Sequence, residues 1–183
     1  KNPEEKINKL ALDEMIAHID DLLSKQMDEV LHNKDFQKLE STWRGIRFLV
    51  ERTNFNENIK IVLSDITKEE ALEDFDSNLD ITQSVMYKQV YSHEYGQFGG
   101  EPIGAIIGDY ELDKTNTDMT FLNKMSSIAA MSHSPFLTSL SSKFFGLENY
   151  AELENIKDMK SMLEGPQYTR WRTFRENEDA KYV

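Results

Sequence analysis

From Leu12 onward, Leu12, Ile16, Ile19, Leu23, Met27 and Val30 recur at steps of 4, 3, 4, 4 and 3, the spacing of one face of an α-helix. Met15 and Leu22 widen this stripe, and Asp13, Asp20, Asp21, Lys25 and Asp28 occupy the other side. Gln26 interrupts the stripe where a coiled coil would want an apolar residue, so the pattern predicts a long amphipathic helix and not a strict heptad. A second helix is expected after Asp35, whose carboxylate would cap its first free N–H groups, with Phe36, Leu39, Trp43, Ile46 and Val50 on its apolar face. The few residues around His32 to Lys34 would join the two as an α-hairpin or as two helices packed on a shared sheet.

The period changes after Asn58. Ile59, Ile61, Val62 and Leu63 form a β-branched run that predicts a short buried strand. Thr67-Lys68-Glu69-Glu70 fits a capping box opening a helix to about Phe75, and Asp80 or Thr82 would start another through Val85, Met86, Val90 and Tyr91. Three glycines and a proline in Gly96 to Pro102 oppose both helix and strand and mark a loop. It leads into Ile103 to Tyr110, a second predicted strand whose small residues permit close packing. Asp118 to His133 returns to helical spacing, Pro135 to Leu137 suggests a third strand, and helices are expected over Ile156 to Leu163 and from Pro166 through Phe174. Lys181 to Val183 reads as the start of a further strand. Strands separated by helices predict an α/β fold: a small, mostly parallel sheet flanked by amphipathic helices, with a long N-terminal helix or helical hairpin. The expected division is a helical segment over 1–54 and an α/β domain over 55–183, forming one compact unit. The opening Lys1-Asn2-Pro3 suggests a piece of a longer chain, truncated at both ends.

The charge balance narrows the function. With 21 Lys+Arg against 33 Asp+Glu, the formal net charge of −12 opposes binding to a polyphosphate backbone, and no segment segregates the basic residues. No apolar run approaches the length of a membrane-spanning helix, and the absence of cysteine excludes disulfides, thiolate metal sites and cysteine nucleophiles.

Candidate chemistry is sparse. Gly99, Gly100, Gly104 and Gly108 match neither dinucleotide nor phosphate-loop spacing, and they precede a predicted strand, whereas phosphate loops follow one. Asp109, Glu111 and Asp113 begin like a calcium loop, but Lys114 and Thr120 stand where that loop needs Gly and Glu. His18, His32, His93 and His133 give no pair at zinc spacing. His133 with Asp109 is the basis of an alternative, an α/β hydrolase-like enzyme, although no G-x-S-x-G elbow presents a nucleophile. Arg170, Arg172 and Arg175 interleave with Trp171 and Phe174, and the following Glu176, Glu178 and Asp179 point to intrahelical or intersubunit ion pairs. No catalytic, cofactor-binding or metal-binding residue emerges. A further alternative is an acidic protein-interaction adaptor. Abundant apolar helix faces favour an assembly protein, with Ile16, Leu23, Met27 and Val30 either as its partner-facing stripe or as a face packed on this chain's own sheet.

Several segments resemble, in order, the large subunit of the bacterial type VI secretion contractile sheath, the TssC family. They are Leu22 to His32, Phe36 to Glu40, Trp43 to Ile46, Glu94 to Pro102, Gly108 to Tyr110, Ala129-Ala130 with His133 to Phe136, Phe145 to Leu147, and Trp171 to Glu176. Asn33-Lys34 and Ser134 depart from the pattern of many relatives. The resemblance implies a non-enzymatic structural role without cofactors. It implies pairing with a small sheath subunit, contacts with neighbouring sheath protomers and with an inner tube protein, and disassembly by an AAA+ unfoldase. It also implies a cytoplasmic bacterial assembly anchored at the cell envelope, with no nucleic acid and no membrane insertion. The chain would be an amino-terminal to central part of such a subunit.

Overall fold

The computed structural model describes residues 9–95 and 97–183. The chain divides into two units, Lys1–Leu63 and Ser64–Val183.

In the first unit the apolar periodicity is realised as α1 (Lys9–Leu31) and α2 (Lys34–Arg52). The cap of α2 is Asn33 and not Asp35: the Asn33 side-chain oxygen accepts from the Asp35 N–H at 2.9 Å and the Phe36 N–H at 3.3 Å. Asp35 instead lies in the first turn, where its charge favours the positive end of the helix dipole. Ion pairs four residues apart, Lys25 with Asp21, Arg44 with Glu40 and Arg47 with Glu51, line the polar faces; being exposed, each adds only about 0.3–0.5 kcal/mol.

The strand expected over Ile59 to Leu63 does not form. Among the described residues the only ladder joins two later strands, and Val62 is 86% exposed. A β-branched run supplies propensity but not the neighbouring backbone that must satisfy its N–H and C=O groups.

The second unit begins at the capping box. Thr67 Oγ1 accepts from the Glu70 N–H at 3.2 Å, while a Glu70 carboxylate oxygen accepts from the Thr67 N–H at 2.8 Å. The Thr67 N–H and then its hydroxyl, both donating to that carboxylate, hold the Glu70 carboxyl below its ordinary pKa. The helix so opened, α3 (Lys68–Ser77), buries Ala71 and Phe75. The single helix expected from Asp80 resolves into three pieces: a 3-10 turn over Ile81–Gln83, α4 (Val85–Tyr87) and a π-helical turn over Lys88–Ser92. Two side chains enforce the break. Ser84 Oγ accepts from the Tyr87 N–H at 3.1 Å, and Asp74 of α3 accepts from the Val85 N–H at 2.7 Å.

In the loop that follows, Gly96 lies outside the described residues. Gly99 has φ 83°, and a Cβ on Gly100 would meet the Glu94 carbonyl oxygen at 2.0 Å, so glycine is required at both.

The α/β expectation is met by β1 (Ile106–Leu112), α5 (Asn116–Ser132) and β2 (Phe136–Leu140), a parallel pair joined through a helix. The strand expected from Ile103 starts three residues later, because the Ile103 carbonyl is taken by the Ser134 hydroxyl. Ile106 pairs with Phe136 and Leu112 with Leu140, with a register shift between Ile107 and Glu111. A Cβ on Gly108 would meet the Phe136 ring at 2.7 Å, so the small residue read from sequence is what lets this ring pack over β1. Thr115 caps α5, and His133 ends it in the left-handed conformation, φ 54°.

Phe121 of α5 is the centre of the core. Its ring lies 5.4 Å from Tyr110, 6.1 Å from Phe136 and 6.2 Å from Phe75, joining β1, β2 and α3. Polar ties close the edges: Lys68 Nζ donates to Asp118 at 2.9 Å, and the Tyr110 hydroxyl donates to the Ile66 carbonyl at 2.7 Å. The C-terminal part is a 3-10 segment over Tyr150–Asn155, α6 (Met159–Leu163), a proline-led 3-10 turn over Pro166–Tyr168 and α7 (Thr169–Glu176). Buried Tyr168 donates its hydroxyl to the Phe144 carbonyl at 2.9 Å. Residues Glu178–Tyr182 form a 3-10 helix and not the strand expected at Lys181.

Candidate functional site

The largest accumulation of uncovered apolar side chains is on the two N-terminal helices. No residue of α1 or α2 is buried. Ile16 is 48% exposed, Leu23 55%, Met27 56% and Val30 48%, and Phe36, Leu39, Trp43 and Val50 of α2 are exposed as well. Scattered apolar residues on a surface are ordinary, but here Leu12, Ile16, Ile19, Leu23, Met27 and Val30 keep helical spacing along α1 and are all exposed. Its polar flank is paired in part within the helix, Lys25 with Asp21.

The structure does not assemble the alternative hydrolase set into a hydrogen-bonded pair. Asp109 lies exposed on β1. His133 ends α5, three residues before β2, and its Nδ1 lies 3.5 Å from the Tyr182 hydroxyl. Neither residue lines the groove between α5 and α7 or the groove between α6 and α7. The Ser134 hydroxyl, adjacent to His133, is committed to the carbonyls of Ile103 and Ser132. Among the described residues no three acidic or histidine side chains converge to hold a metal, and no helix is long and apolar enough to cross a membrane. Asp113 accepts from the Lys114 N–H at 2.7 Å, so one carboxylate of the calcium-like run serves the turn that leads into α5.

Two surface features stand out on the second unit, of which only the arginines of α7 were singled out from the sequence. Exposed carboxylates Glu69, Glu73 and Asp76 form the outer side of α3, whose inner side is Ala71 and Phe75. On α7, Phe174 is buried and Trp171 half-buried, while Arg170, Arg172 and Arg175 are exposed. The intrahelical ion pairs expected there do not form among the described residues. Arg175 instead donates to the Ala180 carbonyl at 3.4 Å and lies over the Trp171 ring at 5.8 Å.

The described residues thus form a small α/β unit with a tightly packed aromatic core and a helical segment that carries an exposed apolar stripe. The chain belongs to the VipB family, EvpB/VC_A0108, tail sheath N-terminal domain, which its residues 13–183 match. It is 38% identical over 175 residues to the type VI secretion system sheath protein TssC1 of Pseudomonas aeruginosa, a match covering 94% of this chain and 35% of that protein. The chain therefore spans 35% of the length of that relative. The family implied by the sequence segments is thus the family found.

Proposed function

We propose that the chain is part of the large subunit of a type VI secretion contractile sheath and that it acts by contact, without covalent chemistry. In this reading the helical segment 1–54 engages partners and 55–183 is the sheath domain. The subunit pairs with a small sheath subunit, and the pairs stack with neighbouring protomers into a helical cylinder around an inner tube protein. Contraction of that cylinder drives the tube outward, and an AAA+ unfoldase later dismantles the contracted form. The assembly is cytoplasmic and anchored at the bacterial envelope.

The observation that carries this reading is the unburied apolar stripe of α1 in a member of a tail sheath family. A rigid core such as the one around Phe121 suits a lattice that switches between two packings, because packed interiors shift between discrete arrangements and do not deform continuously. The test is co-expression of the tagged full-length protein with the products of its neighbouring genes. A second sheath protein is expected to co-purify in about 1:1 ratio, as a paired interface requires; recovery of the tagged protein alone overturns the pairing.

A further inference from the structure

The two flanks of α5 carry opposite charge. Asn116, Met119, Thr120 and Asn123 of α5 line the groove shared with α7, whereas Asp118 and Phe121 meet Lys68 and Phe75 of α3. At about 100° per residue these two sets point roughly 180° apart, so α3 and α7 lie on opposite sides of α5. The α3 side holds five carboxylates against one lysine, and α7 holds three arginines against one glutamate.

The outward side chains are not neutralised internally. Among the described residues, none of Glu69, Glu73, Asp76, Arg170, Arg172 and Arg175 makes an ion pair. Arg172 stands four residues before Glu176 without pairing to it, and Glu164 and Glu176 share an open groove of about 760 Å³ with Lys160, Arg172 and Arg175. That groove retains an excess of cations in a chain of net charge −12. A body with an acidic ridge on one flank and arginines on the other is complementary to a second copy of itself, placed head to tail. Such heterologous contacts are the kind that build helical assemblies, where one patch meets a different patch on the next copy.

We infer that, in the assembly, the arginine face of α7 in one copy docks on the carboxylate ridge of α3 in the next. The inference rests on the sheath reading and adds to it which surfaces meet. Contact between oppositely charged faces sets register and suppresses wrong pairings, and like charges brought face to face cost several kcal/mol.

The test uses sheath particles made with the full-length protein, quantified by sedimentation. Arg170→Glu with Arg172→Glu is expected to reduce particle yield at least about tenfold, as is Glu73→Arg with Asp76→Arg. These four positions are exposed, and Arg175, which is tied to Ala180 and Trp171, is left in place. Combining both reversals in one chain is expected to restore yield to within about threefold, since the attraction is re-formed with its signs exchanged. Circular dichroism establishes folding of each variant; should a reversal fail to fold, Arg170→Gln with Arg172→Gln replaces it and is expected to lower yield in the same direction. Unchanged yield in the folded reversals overturns the contact. So does a loss that the combined variant does not repair, which would assign the arginines to an acidic partner of another kind. Absence of particles from the unaltered protein defeats the sheath reading itself, and the contact with it.

Discussion

Leu23→Asp combined with Met27→Asp is expected to abolish co-purification with the small sheath subunit while leaving the fold of the chain intact. The two side chains are 55% and 56% exposed, so little internal packing is lost when they are replaced. Exposed substitutions of this kind usually change stability by no more than about 0.5 kcal/mol each, with a further cost of about 0.6 kcal/mol per site from the lower helix propensity of Asp. At an interface the balance is different. Burying each apolar side chain contributes about 1.5–3 kcal/mol, and an unpaired carboxylate in its place must also be desolvated. A combined loss above about 3 kcal/mol lowers affinity more than 100-fold. The measurement is a pull-down from cells making both subunits, with circular dichroism on the purified variant. A folded variant that captures the small subunit as well as the unaltered protein would remove this stripe from the partner surface.

The second large effect is internal. Phe121→Ala is expected to destabilise the α/β unit by about 3–5 kcal/mol, the range for truncating a buried aromatic residue. Phe121 is 0% exposed and its ring contacts Phe75, Tyr110 and Phe136, so its loss opens a cavity where α3, β1 and β2 meet α5. Phe98→Ala provides the control of identical chemistry. That side chain is 110% exposed, and its removal is expected to change stability by less than about 0.5 kcal/mol. Denaturant unfolding monitored by circular dichroism reads both. Equal midpoints for the two variants would contradict the placement of the core at Phe121.

What was legible in the sequence is what local chemistry decides. The stripes of α1 and α2, the Thr67 capping box and the close approach at Gly108 each depend on residues a few positions apart or on a single missing side chain. The β1–α5–β2 crossover was also readable, because an apolar strand, a periodic helix and a second short strand follow one another without a gap. Ile59 to Leu63 was misread for the opposite reason. Its composition suits a strand, but strand formation depends on a partner ladder that no local pattern encodes. The break between the 3-10 turn and α4 likewise comes in part from Asp74, eleven residues before the Val85 N–H it accepts from.

The candidate surfaces divide in the same way. The α1 stripe was visible as periodicity, and the structure leaves it exposed. The opposed charges of α3 and α7 were not visible as a pair, because nearly a hundred residues separate them and only the packing of both against α5 sets them on opposite flanks. A signal was present in Arg170, Arg172 and Arg175, and the carboxylates that follow them suggested intrahelical or intersubunit ion pairs; of these the intrahelical ones do not form among the described residues. The hydrolase alternative rested on residue types alone, and His133 and Asp109 occupy separate surroundings.

The central claim is that this polypeptide works as a building block of a tubular assembly. Electron microscopy of particles from cells co-expressing the full-length protein with its chromosomal neighbours tests it most directly. Hollow cylinders that contain the protein and vanish when its gene is deleted are the expected result; a discrete soluble complex that never forms tubes, under conditions where all partners are present and folded, would contradict it.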